Sequence, residues 1–187
     1  MSIRTKTLAN KMTISAKVVA TVIAIVAAVA LPQTAHIMGA ITGTGNAFGA
    51  TFLPMHLPVL AVGLLAGPMA GLVTGFISPL LSFMMTGMPA VAVLPFMMLE
   101  LASYGFFAGL LYNRTIAGKK LPAIVSVLGA QLAGRLVRFG ALLVCTSLLG
   151  ITAIAPISVF TAIPEGLYGI VVQLLLLPAV MKVVSRD

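Results

Sequence analysis

Polar and apolar positions alternate along this chain by whole segments rather than by single residues. Apolar tracts of about twenty residues, the length of a helix that crosses a membrane, are separated by breaks rich in Gly, Pro, Thr or basic residues. The first tract predicts a helix over 13–31, ended by Pro32. The stretch 33–51 (ending GAITGTGNAFGAT) is too rich in Gly and Thr for a span and reads as a long outer loop. Loops of that length inside a compact domain are usually functional, often lids. The next tract, 52–86, is continuous, with Gly67-Pro68 as a turn signal in its middle. Further spans are predicted over 90–112, 121–149 and 159–180, with a second uncharged outer loop near Gly150–Ser158.

Charge decides how many times 52–86 crosses. Arg4, Lys6, Lys11 and Lys17 surround the start of the first tract, and Arg114, Lys119 and Lys120 fill one short break. Basic loops stay on the cytoplasmic side, so an even number of spans must separate these two clusters. The tract 52–86 therefore supplies two spans, about 52–67 and 69–86. The predicted fold is an all-α membrane protein, a single compact bundle of six transmembrane helices with both termini cytoplasmic. Residues 1–12 form a basic cytoplasmic lead-in, and the outer connections carry no Lys, Arg, Asp or Glu.

Composition agrees. Only 7% of the 187 residues are charged and 60% are hydrophobic, too few charges for the surface of a water-soluble domain. The formal charge of +8 sits in the loop clusters that orient a membrane protein, which argues against nucleic acid as a partner. The single Cys145 excludes an intramolecular disulfide. A cleavable signal peptide fits poorly, because Leu31-Pro32-Gln33 stands where small residues are required.

Within the first span, Ala16, Ala20, Ala24 and Ala28 recur every fourth residue, which places them along one helix face. Such a side-chain-poor strip packs closely on another helix, either of this chain or of a partner. A second four-spaced ladder, Gly63, Gly67, Gly71 and Gly75, runs through the turn signal.

Four ionisable groups fall inside predicted spans: Glu100, Arg135, Arg138 and Glu165. Such groups are costly in lipid and face a cavity or one another. Gln131, Arg135 and Arg138 share one helix face by spacing, as do Glu100 and Tyr104. Both carboxylates are placed to meet the guanidinium groups in the outer half of the bundle. They serve either as ion pairs holding helices in register or as a site for a polar solute beneath the loop. His56, near the outer mouth of the second span, is a structural or ligand-contacting group, and two histidines without a nearby carboxylate predict no metal site. No HExxH, GxSxG, acidic protease pair or P-loop is present, so neither enzymatic chemistry nor a cofactor is expected.

Taken with the alanine ladder, three tracts carry a resemblance: LPMHLPVLAVGLLAGPMAGLVTGFISPLL (Leu53–Leu81), MLELASYG (Met98–Gly105) and EGLYGIVVQLLLLP (Glu165–Pro178). Over nearly its whole length the chain resembles the substrate-binding S components of energy-coupling factor (ECF) vitamin transporters, in the plasma membrane of a prokaryote. The resemblance implies that the alanine face docks on a membrane coupling subunit, the T subunit, driven by two ATPase subunits. It also implies a water-soluble vitamin bound near the outer surface under the first outer loop, released inside when the whole subunit topples. The implied contacts are Asn46, Phe48, His56, Glu100, Tyr104, Gln131, Arg135, Arg138, Glu165 and Tyr168. Relatives that bind thiamine or biotin commonly stack the ligand on tryptophan, which this chain lacks. Aromatic contacts fall instead to Phe48, Phe96, Tyr104, Phe107, Phe139 or Tyr168. Pantothenate is the first candidate, ahead of pyridoxine-type and cobalamin-type vitamins, with Arg135 or Arg138 on its carboxylate. A stand-alone facilitator and a membrane scaffold subunit are the alternatives.

Overall fold

The long first tract folds as one helix that does not stop where its proline stands. In the computed structural model, which describes residues 8–45, 47–113, 115–116, 119–150 and 154–184, a short helix α1 (Leu8–Lys11) precedes α2 (Ile14–Thr42). The Thr13 hydroxyl accepts from the Ala16 N–H at 3.2 Å and caps α2. Pro32 lies inside α2, where it removes one backbone hydrogen bond. The helix continues because Pro32, Ala35 and Gly39 are all buried against the rest of the bundle. The Thr34 hydroxyl donates to the Leu31 carbonyl at 2.7 Å, a local bond within the turn that follows the proline. The expected loop over 33–51 thus contracts to a break after Thr42, where Gly43 (φ 71) and Gly45 (φ 58) turn the chain into α3 (Ala47–Phe52).

The helices α4 (His56–Ala66) and α5 (Pro68–Thr86) follow, joined at Gly67, whose φ of 104 is open to glycine. Next come α6 (Leu94–Tyr112), a two-residue antiparallel pair β1 (Thr115–Ile116) and β2 (Lys119–Lys120), and α7 (Ala123–Leu149). The predicted last span is two helices, α8 (Ser158–Glu165) and α9 (Leu167–Val184), separated at Gly166. Among the described residues, six helical stretches are long and apolar enough to cross a membrane: Ile14–Thr42, Gly49–Ala66, Pro68–Thr86, Leu94–Tyr112, Ala123–Leu148 and Leu167–Val184. This is a multi-pass, all-helical bundle.

The helices α4, α5 and α6 touch backbone to backbone. A methyl group built on Gly63 or Gly71 would collide with the Gly105 backbone, and one on Gly75 with Leu101. The glycine ladder is therefore the seam of the bundle, with side chains removed so that main chains can meet.

The second half of the alanine face turns inward and packs within the chain. Ala28 is 0% exposed and Ala24 8%. Ala24 packs with Val62, Ala66 and Ala70, and Ala28 joins the main core around Val59, Leu60 and Leu101. Ala16 and Ala20 are half-buried. The burial is physical economy: an apolar partner helix was already present within the chain, and small residues let it approach.

Candidate functional site

Glu100 sits two turns into α6, on the face that meets α7, with Tyr104 one turn further on. The Tyr104 hydroxyl donates to Glu100 Oε1 at 2.7 Å, and Arg138 Nη1 of α7 donates to Glu100 Oε2 at 2.7 Å. Both carboxylate oxygens are thus engaged, and the ion pair is buried, with 5% of the Glu100 side chain and 17% of the Arg138 side chain exposed. The approach of α7 that permits this depends on Gly134, where a methyl group would strike the Tyr104 ring. The His56 ring, at the start of α4, lies 5.4 Å from the Tyr104 ring. Its Nδ1 is buried without a hydrogen-bond partner among the described residues.

One turn before Arg138, Arg135 reaches the Val159 carbonyl of α8 across 3.4 Å, at the long limit for such a bond. Among the described residues no carboxylate faces it. One turn deeper, Gln131 Nε2 donates to Gln173 Oε1 of α9 at 2.8 Å, leaving the buried Gln173 Nε2 unpartnered. Phe139 of α7 and Phe160 of α8 meet edge to face at 5.1 Å. The polar face predicted for α7 is therefore real, and each of its members meets a different element: α9, α8 and α6 in turn.

A cavity of about 260 Å³ opens beside this cluster, between the second half of α2, the α3–α4 connection and the first turns of α6. His56 belongs to its wall and also touches Tyr104, so it joins the cavity to the ion pair. Opposite stand Pro32 and His36 of α2, Ser82 of α5, and Met88 and Met97. Backbone fit holds the roof: Gly169 of α9 lies against the Phe52 backbone, and Gly166 against the Leu53 side chain. Leu53 itself takes a left-handed φ of 48, a conformation costing a non-glycine residue roughly 1–3 kcal/mol.

Of the residues predicted as contacts, the structure gathers His56, Glu100, Tyr104, Gln131, Arg135 and Arg138. Glu165 and Tyr168 are not brought in. Tyr168 is 69% exposed, and Glu165 is exposed with no ion pair among the described residues. The inward stripe of α9 runs through Gly169, Gln173 and Leu177, which turns Tyr168 outward. The break at Gly166 puts Glu165 on another helix and out of phase with that stripe. Asn46 lies outside the described residues, as does the Phe48 side chain, although the Phe48 backbone belongs to α3. Sequence reasoning missed Pro32, Ser82 and the methionines; Ser82 could have been found, since it continues a buried polar stripe with Thr74 and Ser78 at intervals of four. No group of three or more His, Cys, Asp or Glu side chains suited to a metal occurs among the described residues.

Comparison with known proteins adds one match. The family model described as "ECF transporter, substrate-specific component" aligns with residues 10–181. No curated protein and no solved structure matches the chain.

Proposed function

The chain belongs to the substrate-specific components of ECF transporters, and from that premise we propose that it captures an anionic water-soluble vitamin, with pantothenate the first candidate. Members of the family bind the substrate in the membrane and work with a coupling subunit and ATPase subunits; they are not themselves enzymes. The observation that carries the anion reading is Arg135. Glu100 is neutralised by Arg138, and Glu165 lies outside the cluster. Among the described residues, the polar half of the bundle thus holds one guanidinium whose only hydrogen bond is a long one to a carbonyl. A half-buried guanidinium of this kind favours a carboxylate, which it can grip through two parallel hydrogen bonds. The apolar cavity wall and the unpartnered His56 Nδ1 fit the rest of such a solute: a small organic body with a few hydroxyl or amide groups. At about 260 Å³ the cavity falls just under the range for drug-sized ligands, roughly 300–1,000 Å³.

Release follows by reorientation of the whole subunit, as the resemblance implies, and the glycine seam supports motion as one body. For the coupling subunit, the reading moves from the full alanine ladder to the edge where Ala16 and Ala20 border the exposed Val19 and Ile23. These four share one face of α2 by their three- and four-residue spacing. Ala16→Trp is expected to abolish uptake in cells while leaving ligand binding by the purified protein intact. Unimpaired uptake would remove this docking edge.

The site is tested by mass spectrometry of small molecules released from gently purified protein, followed by calorimetry with the recovered vitamin. A stoichiometric carboxylate-bearing vitamin is expected, and Arg135→Ala should weaken its binding ten- to a hundredfold, as loss of a charge-assisted pair does (about 1.5–3 kcal/mol). A neutral ligand, or unchanged affinity in the variant, would sink the anion reading.

A further inference from the structure

The second large concavity lies at the opposite end of α2 from the candidate site. It is a groove of about 540 Å³ between the first half of α2 and the α4–α5 turn. Its floor is Ala66 and Ala70, both buried, and its rims are exposed apolar side chains such as Val18, Val22 and Met69. Along α2 the wall runs from Ile14 to Ile25, about 16 Å of helix at about 1.5 Å per residue. Half of a hydrocarbon core of about 30 Å is roughly 15 Å, so the groove has the length of one leaflet.

The groove wall also carries polar groups, Lys17 and Asn113 among them. Lys17 belongs to the wall, with no ion pair among the described residues. Glu100 is occupied by Arg138, and Glu165 stands where α8 ends. Asn113, just beyond α6, contributes a buried Oδ1 that lacks a hydrogen-bond donor among the described residues, while its Nδ2 donates to the Gly109 carbonyl at 2.7 Å. A cation and an orphaned acceptor in the wall of a leaflet-length apolar groove together ask for a phosphate and a hydroxyl above an acyl chain. We propose that this groove binds an anionic glycerophospholipid with a hydroxyl-bearing headgroup, of the phosphatidylglycerol class. Lys17 holds the phosphate, Asn113 Oδ1 accepts from the headgroup hydroxyl, and one acyl chain lies over Ala66 and Ala70. Bound there, the lipid fills the space between α2 and α5 that this chain leaves open.

The test is native mass spectrometry of the full chain in detergent, titrated with phosphatidylglycerol and phosphatidylcholine of identical acyl chains. Tighter retention of phosphatidylglycerol is expected. Lys17→Gln should weaken that retention about fivefold, the contribution of one cation at an anionic lipid surface, and leave phosphatidylcholine unchanged. Lys17→Arg should restore the preference. Val18→Trp, at a position already exposed, should fill the groove and weaken both lipids. Equal retention of the two lipids by the unaltered chain, or no change in Lys17→Gln, overturns the proposal. Competition by soluble glycerol 3-phosphate at matching concentration would assign the polar groups to a free phosphate and also overturn it. So would a Val18→Trp protein that keeps its lipid but no longer co-purifies with the coupling subunit, since the groove would then be a protein contact.

Discussion

The two halves of the bundle are held together by opposite means. Between α4, α5 and α6 the contact is main chain on main chain, with glycines at Gly63, Gly71, Gly75 and Gly105 removing whatever would keep the helices apart. Between α7, α8 and α9 side chains make the contact, and polar ones stand among the apolar: Gln131 on Gln173 and Arg135 on the Val159 carbonyl, beside Phe139 on Phe160. The first arrangement has nothing to rearrange, because packed backbones have one way to fit. The second includes hydrogen bonds that a solute can enter and replace. A scaffold and a site thus lie side by side, and the Glu100–Arg138 pair is the bolt between them.

That contrast is broken most severely at the bolt. Glu100→Ala leaves the Arg138 guanidinium buried without its partner, and is expected to lower stability by about 3–5 kcal/mol, read as a fall in the unfolding midpoint in detergent. Next is the scaffold itself. Gly105→Ala introduces a methyl group against the Gly71 backbone, and overpacking of that kind costs roughly 1–3 kcal/mol; vitamin affinity per folded molecule should stay unchanged. A Gly105→Ala protein as stable as the parent would mean that the seam is looser than its geometry states. The smallest effect sharpens the boundary of the site: Glu165→Gln, at an exposed position, should shift stability by no more than about 0.5 kcal/mol and leave binding untouched. A large loss of binding there would return Glu165 to the site.

These expectations separate what was legible in the sequence from what was not. The six apolar tracts were readable because lipid demands length and apolarity of every spanning helix, and Gly67-Pro68 was readable as a turn because glycine and proline punctuate locally. Pairing of Glu100 with an arginine was readable too, since an unpaired charge in lipid is so costly. What escaped was whatever depends on neighbours. Pro32 looks like a helix stop, and α2 passes through it because Ala35 and Gly39 are buried beyond it. The alanine ladder has the same spacing whether it faces a partner or the protein's own α4 and α5. Glu165 shares the four-residue spacing of an inward face with Gly169, but the interruption at Gly166 cancels the phase. Periodicity predicts which residues share a face; it carries no information on which way that face is turned.

The isolation of Glu100 makes it an optical handle. The chain has three acidic side chains in all, and this one is clasped by a phenol on one oxygen and a guanidinium on the other. Its carboxylate stretching vibration should therefore stand apart from the solvated remainder in an infrared spectrum. With the vitamin's own carboxylate band moved aside by carbon-13, a difference spectrum on adding it then follows one protein carboxylate at the centre of the molecule.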